Sequence, residues 1–347
     1  NILFVSLGCD KNLVDSEVML GLLAENGYGF TDDEMEADVI VVNTCCFIGD
    51  AKEESVNTIL EMAEHKKDAK CKALIVTGCM AQRYKQEIID EIPEVDAVLG
   101  TTTYDSIIDA VEEALGGEHM LKCEDIDRLV LTNAKRMLTT GGHYAHLKIA
   151  EGCDKHCTYC IIPKLRGNYR SFPMEKLVKE AEELAAQGVK ELILVAQETT
   201  LYGTDIYGKK SLHLLLKELC KIKGIRWIRV QYCYPEEIYD ELIQTMKEEP
   251  KVCNYLDLPI QHASDRILKR MGRRTSQADL RAIIGKLRQE IPDICLRTTL
   301  ISGFPGETEE DHEELMNFVD EMEFDRLGVF TYSAEEDTPA ATMPDQI

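Results

Sequence analysis

Three cysteines crowd one short stretch, "EGCDKHCTYC", where Cys153, Cys157 and Cys160 follow the spacing C-x3-C-x2-C. Tetrahedral zinc sites and four-iron clusters are ordinarily closed by four protein ligands, so three thiolates leave one metal position open to a substrate or cofactor. His156 lies inside the loop and, as a fourth ligand, would make the stretch a structural zinc site. The spacing departs from the paired C-x2-C of zinc modules and favours the open cluster.

A second cysteine set is dispersed. Cys9 follows "VSLG", Cys45 follows "VVNT" and Cys79 follows "IVTG", each at the end of an apolar run that reads as a strand. In a parallel α/β sheet the carboxyl ends of the strands share one edge, and ligands bind in the crevice outside it. Residues distant in sequence converge at such an edge. Gly8 and Gly78 precede two of the cysteines and permit close backbone approach, and the helix N-termini that follow favour a thiolate's charge. Three ordinary core thiols would give the same pattern, since free cysteine is among the most buried residue types. Recurrence at the equivalent point of successive units favours a shared ligand. Cys46 directly follows Cys45, and the two side chains would point in different directions at a strand end.

The elements that must position these residues show in the periodicity. Apolar strands alternate with amphipathic helices: "NILFVSLGC" with "KNLVDSEVMLGLLAENG", "ADVIVVNTC" with "DAKEESVNTILEMAEHK", "CKALIVTGC" with "AQRYKQEIIDEI", and "VDAVLG" with "TYDSIIDAVEEALGG". In the second helix Val56, Ile59, Leu60 and Ala63 recur at helical spacing and predict its core face. Continuous apolar strands alternating with helices imply an α/β fold, a doubly wound parallel sheet over residues 1–117. Residues 118–142, a polar stretch flanked by the Gly-Gly pair at 116–117 and ending in the pair at 141–142, read as a linker. From 143 to 340 a second series begins with "HYAHLKIAEGC" and continues through "ELILVAQ", "IRWIRVQY", "NYLDLPIQ", "ICLRTTLISG" and "RLGVFTYS". Six strands with intervening helices predict a partial (βα)6 barrel with its site at the C-terminal strand ends. The helix "PMEKLVKEAEELAAQG" runs from Pro173 to Gly188 with Leu177, Ala181, Leu184 and Ala185 inward.

Composition narrows the class. The 347 residues suit two domains. A net charge of -24 disfavours direct nucleic-acid binding and suits a basic protein partner or a solvated surface. Thirteen cysteines, an odd number, with neither a signal peptide nor a membrane-length apolar run, predict free thiols in a reducing cytoplasm. Cys71, Cys123, Cys220, Cys233, Cys253 and Cys295 read as packing residues.

"CDKHCTYC" after the first strand of a βα series resembles the signature of the radical S-adenosylmethionine enzymes. The resemblance implies that Cys153, Cys157 and Cys160 hold a 4Fe-4S cluster whose open iron is chelated by the methionine amino and carboxyl groups. Reductive cleavage would then yield methionine and a 5'-deoxyadenosyl radical that abstracts hydrogen from an unactivated carbon. Seven ordered stretches, "SLGCDKNLVDSE", "VVNTC", "AKEES", "VTGCMAQRY", "EGCDKHCTYCIIPKLRG", "YLDLPIQHASDRILKRM" and "GFPGETEED", span nearly the whole chain. Together they are similar to the methylthiotransferase family, most of all to its ribosomal-protein branch.

That resemblance implies a second 4Fe-4S cluster on Cys9, Cys45 and Cys79, whose open iron carries the sulfur to be transferred. It implies methylthiolation of the β-carbon of an aspartate in a decoding-centre protein of the small ribosomal subunit. S-adenosylmethionine would serve as methyl donor and radical source, and a flavodoxin- or ferredoxin-like protein would donate electrons. In "LVAQET", Glu198 falls where radical enzymes bind the methionine ammonium; Gln261, Arg297 and Gly303 of "GFPGE" are further candidates for cofactor contact. Two departures stand out: Asp10 where the branch commonly has proline, and Cys46 where it commonly has glycine. A neighbouring branch modifies adenosine in transfer RNA but differs in the first motif, here "GCDKNLVDSE". The alternative of another class is a non-catalytic iron-sulfur or zinc protein. After "PAATMPDQI" family members continue into a small β-rich domain, so residues 341–347 are expected to begin the connection to a domain absent from this chain.

Overall fold

Strands that are apolar at every position, without alternation, need cover on both faces. In the computed structural model, which describes all residues 1–347, β1 (Ile2–Ser6), β2 (Val39–Thr44), β3 (Ala73–Gly78), β4 (Ala97–Leu99) and β5 (Met120–Lys122) pair in that order, all parallel. Every residue of β2, β3 and β4 is buried. The sheet lies in the first of two units, Asn1–Thr139 together with Ile161–Asn168. Its helices are α1 (Asp10–Glu25), α2 (Gly49–Asp68), α3 (Cys79–Tyr84), α4 (Gln86–Glu91), α5 (Ile107–Leu115) and α6 (Ile162–Arg166). Met19 and Leu23 of α1 join Ile107 and Val111 of α5 over one face, against Val41 and Ile75. Ile59 and Met62 of α2, Met80 of α3, Ile88 of α4 and Leu165 of α6 cover the other, against Val42 and Val76.

Three expectations need correction here. The inward face of α2 is Ser55, Ile59, Met62 and Ala63, while Val56 and Leu60 are exposed. A 3.6-residue period fits two overlapping stripes, and the sheet selects the one that a small serine lets approach closely. The single helix expected after β3 is two, α3 and α4, broken at Lys85, whose φ of 47° interrupts the hydrogen-bond ladder. Residues 118–142 are not a free linker. They supply β5, and beyond it Arg136 forms a buried ion pair with Glu17 of α1, whose carboxylate also accepts from the Thr139 N–H at 2.9 Å. Both ties join residues more than a hundred positions apart, beyond the reach of local periodicity.

The second unit comprises Thr140–Cys160 and Tyr169–Ile347. Its strands are β6 (Tyr144–Lys148), β7 (Ala150–Glu151), β8 (Arg170–Ser171), β9 (Glu191–Val195), β10 (Trp227–Val230), β11 (Val252–Asp257), β12 (Cys295–Ser302) and β13 (Arg326–Thr331). Six of them form one parallel sheet in the order β6-β9-β10-β11-β12-β13; β7 and β8 pair separately and antiparallel. β6 and β13 remain edges, so the barrel is partial, and residues along β13 are exposed. Helices α7 (Met174–Ala186), α8 (Thr204–Tyr207), α9 (Leu212–Cys220), α10 (Asp240–Glu248), α11 (Asp265–Arg270), α12 (Gln277–Glu290) and α13 (Glu309–Met322) connect the strands. The inward residues of α7 are Leu177, Ala181 and Leu184, with Ala185 only half-buried. Capping boxes start α12 at Ser276 and α13 at Thr308. Residues 341–347, expected to lead away, fold with this unit: the Gly306 N–H donates to the Asp345 carbonyl at 2.8 Å. No helix is long and apolar enough to cross a membrane.

Candidate active site

The dispersed trio is gathered by β1, β2 and β3, whose parallel register brings their carboxyl ends level. Cys9 caps the start of α1, Cys45 follows β2, and Cys79 opens α3. Gly8 has φ 91°, and a Cβ there would stand 2.9 Å from the Cys45 Cβ; Gly78 has φ 94°, and a Cβ would lie 2.5 Å from the Thr44 carbonyl. Only glycine fits either rim position. Burial raises the Cys45 thiol, and Cys9 adds to the effect; burial pushes Cys79 up to about 12, with Arg166 pulling the other way. The neighbouring Cys46 is fully buried among the core side chains of α2 and β3, so adjacent cysteines take different environments.

Around the trio lies a buried polar network that periodicity did not reveal. Asn12 donates to the Leu7 and Thr44 carbonyls at 3.2 and 2.9 Å, tying α1 to the ends of β1 and β2. Its Oδ1 accepts from Arg166, whose other nitrogen donates to Asp15 at 2.8 Å. Cys79 Sγ stands 3.8 Å from the same Asn12 oxygen. The signal in the sequence is the run Lys11, Asn12, Asp15, Ser16 and Glu17, polar yet buried on one helix. Arg166 arrives from α6, six residues after Cys160.

The local trio is held differently. Cys153 and Cys157 are buried and Cys160 half-buried, in a loop with positive φ at Gly152 and His156. The Thr158 N–H donates to the Met271 carbonyl at 2.9 Å and its hydroxyl to the Arg270 carbonyl at 2.8 Å, while Lys155 closes on Glu236 and Glu237. Burial raises the Cys153 thiol to about 11. At Cys45, Cys79 and Cys153 burial favours the protonated thiol, so a metal bound there would have to displace the proton with its own positive charge. His156 is exposed, and no three His, Cys, Asp or Glu side chains converge as one ion requires. Cluster thiolates bond different irons, which a wider trio allows.

Glu198, just past β9, is completely buried; its Oε1 accepts from the Thr200 N–H at 2.9 Å and from the Thr200 hydroxyl, and Oε2 has no partner. Burial raises it to about 7, and Lys155 opposes the shift. An orphaned carboxylate oxygen beside the cysteine loop fits an ammonium donor. Gly303 has φ 76° with open space at its Cβ position. Gln261, at φ 69°, bridges to β12 through its backbone. Arg297 donates to Asp257 at 2.7 Å, so one arm of its fork is already engaged. In "GFPGE", Glu307 accepts from the Phe304 N–H at 2.9 Å, and its carboxylate stands 3.3 Å from His262, which makes the stretch a fastened turn. Of the six remaining cysteines, Cys71 and Cys233 are buried; Cys123, Cys220, Cys253 and Cys295 are half-exposed.

A parallel partial barrel that opens on a three-cysteine loop defines the radical S-adenosylmethionine class, and residues 147–319 match the Radical SAM superfamily. Residues 1–100 match Uncharacterized protein family UPF0004. The Ribosomal protein uS12 methylthiotransferase RimO of Lachnoclostridium phytofermentans is 68% identical over 346 residues, covering 100% of this chain and 79% of that protein. The protein of the same name from Clostridium perfringens strain SM101 is 55% identical over 344 residues, 99% of this chain and 77% of that one. Among solved structures, the radical S-adenosylmethionine methyltransferase TsrM from Kitasatospora setae superposes with TM-score 0.68 at 15% identity, over 98% of this chain and 76% of TsrM. OxsB, a cobalamin-dependent radical enzyme, gives 0.65 at 13% identity, over 98% of this chain and 54% of OxsB. Both likenesses concern the fold. The chain belongs to the RimO family of radical S-adenosylmethionine methylthiotransferases, enzymes whose cofactors are 4Fe-4S clusters and S-adenosylmethionine.

Proposed function

We propose that the chain adds a methylthio group to the β-carbon of an aspartate in ribosomal protein uS12. Cys153, Cys157 and Cys160 hold the cluster that binds S-adenosylmethionine, and Cys9, Cys45 and Cys79 hold a second. The observation that carries this reading is the second trio: three thiols from three strand ends, set around Asn12 and Arg166, which hydrogen abstraction alone would not require. The substrate is that of the relatives' printed name.

When bound, the clusters and S-adenosylmethionine supply radical hydrogen abstraction, the methyl group and the sulfur. The chain's own residues bind and orient. Glu198 Oε2 accepts from the methionine ammonium while Thr200 fixes the carboxylate's other oxygen. Arg297, anchored to Asp257 by one nitrogen, offers the rest of its fork to the methionine carboxylate. Gly303, with open space at its Cβ position, would admit the adenosine, and Gln261 would contact its ribose. Burial of Cys153 and Cys157 would shield a cluster held on them from water. A reducing cytoplasm suits thirteen cysteines outside any disulfide, and a flavodoxin- or ferredoxin-like protein is the electron donor.

The test incubates the reconstituted enzyme, reductant and S-adenosylmethionine with uS12 or with transfer RNA, followed by mass spectrometry. A methylthio increment on a uS12 aspartate is expected. The same increment on a transfer RNA adenosine instead would overturn the substrate.

A further inference from the structure

Arg273 takes no part in the roles above, yet it is among the most deeply buried cations of the chain. It follows α11, and its side chain is 1% exposed. Its Nη2 donates to the Pro259 carbonyl at 3.0 Å and stands 3.9 Å from Glu236, too far for a hydrogen bond. The guanidinium lies over the Tyr234 ring, 4.2 Å from its centroid. Nε and Nη1 are buried and have no acceptor. A buried donor left without an acceptor is destabilising, and native proteins seldom leave one. Here two nitrogens of one group lack their partner.

The surroundings identify what is missing. Tyr234, on which Arg273 stacks, has its hydroxyl 3.7 Å from the Cys157 sulfur. Arg273 also lies within electrostatic range of Cys157 and Tyr159. A guanidinium stacked on a ring keeps its in-plane N–H groups free to donate edgewise. The carboxylates nearby are held by other cations: Lys155 closes on Glu236 and Glu237, and Lys210 on Glu237 at 2.8 Å. Glu236 Oε2, also unpartnered, stays 3.9 Å from Nη2, and no acceptor lies within hydrogen-bond distance of Nε or Nη1; the sulfurs of an iron cluster held by the Cys153–Cys160 loop would supply acceptors beside Cys157.

We propose that Arg273 is a positioning residue for the cluster of the Cys153, Cys157 and Cys160 loop, donating from Nε and Nη1 to its sulfurs and favouring its reduced, more negative state. The proposal rests on the reading of those cysteines as ligands. Cluster potentials respond to net charge and to hydrogen bonds at sulfur, so loss of this cation makes reduction harder. The potential, which a purely structural residue would leave in place, is therefore the readout.

The experiment uses the fully loaded enzyme and follows, in an electron paramagnetic resonance redox titration, the cluster signal that changes when S-adenosylmethionine is added. Arg273→Met is expected to lower its midpoint by about 59 mV, a tenfold change for a one-electron couple. Arg273→Lys, which keeps the charge, should fall between. A second measurement needs no substitution: wild-type enzyme with isotopically labelled arginine nitrogens should show nitrogen coupling in that same signal by pulsed spectroscopy. Arg166, beside Cys79, would couple only to the signal that ignores the cofactor. An unchanged midpoint in iron-replete Arg273→Met overturns the proposal. Where that variant takes up no iron, absence of labelled-nitrogen coupling in the wild type overturns it. A wild type with no cofactor-responsive signal overturns both the proposal and the ligand reading beneath it.

Discussion

The two cysteine trios solve one problem by opposite means. Cys153, Cys157 and Cys160 share a single loop pinned by backbone bonds from Thr158 to Met271 and Arg270. Cys9, Cys45 and Cys79 come from three strand ends, and what holds them is a buried polar network, Asn12, Asp15 and Arg166, together with two glycines that allow the strands to close. The first site is a property of a short peptide placed on a barrel rim. The second exists only when a whole sheet has formed. Substitutions at the first should therefore act on chemistry, and those around the second on chemistry and folding together.

The largest expected effect is from Cys153→Ala, which should abolish 5'-deoxyadenosine formation and methylthio product while leaving half the bound iron, measured by chromatography and metal analysis. Asp15→Ala comes next. It leaves the Arg166 guanidinium buried without its carboxylate, a defect that costs about 3–5 kcal/mol, and denaturant unfolding of the first unit should show it. Lys164→Ala, on the same short helix as Arg166 but exposed, should cost little.

Glu198→Gln should weaken S-adenosylmethionine binding by about ten- to a hundredfold, the worth of a charge-assisted hydrogen bond. The pH dependence has a definite sign. Glu198 accepts an ammonium only when ionised, and burial raises it to about 7, so wild-type affinity should rise as pH climbs through 7 and that of the variant should not. Without ligand the folded protein holds a proton that the unfolded chain releases at the ordinary carboxyl value. Wild-type stability should therefore fall between about pH 4.5 and 7, and the variant should lose that slope. Calorimetry across this range checks both. The smallest effect is expected from Cys46→Ala, which removes a core thiol at about 1 kcal/mol and should leave the iron content whole.

The same contrast explains what the sequence disclosed. Spacing alone exposed the loop trio, because all three cysteines fall within one turn-rich segment. The dispersed trio was legible only through the repeated strand-cysteine pattern, and its supporting residues were not. Asn12 and Asp15 are polar residues that no apolar period marks as inward, and it is the sheet and α6 that bury them. The six strands of the second unit's parallel sheet were legible as successive runs between helices, whereas the two-residue antiparallel pair β7 and β8 was not. β5 was not legible, because three residues, two half-buried and one exposed, carry no period. The stripe on α2 failed for another reason: Val56 and Leu60 fit the helical period as well as Ser55 and Met62 do, and only packing against β3 chooses. Glu198 was placed by its position after a strand, but its orphaned oxygen is a property of the fold.

The central claim is that the two trios have separable chemistry, and Cys79→Ala measures it most directly. With uS12, reductant and S-adenosylmethionine present, the variant should keep forming 5'-deoxyadenosine while methylthiolated uS12 disappears from the mass spectrum. Methylthiolated uS12 at the wild-type level would contradict the account, as would loss of 5'-deoxyadenosine from a folded variant that retains half its iron.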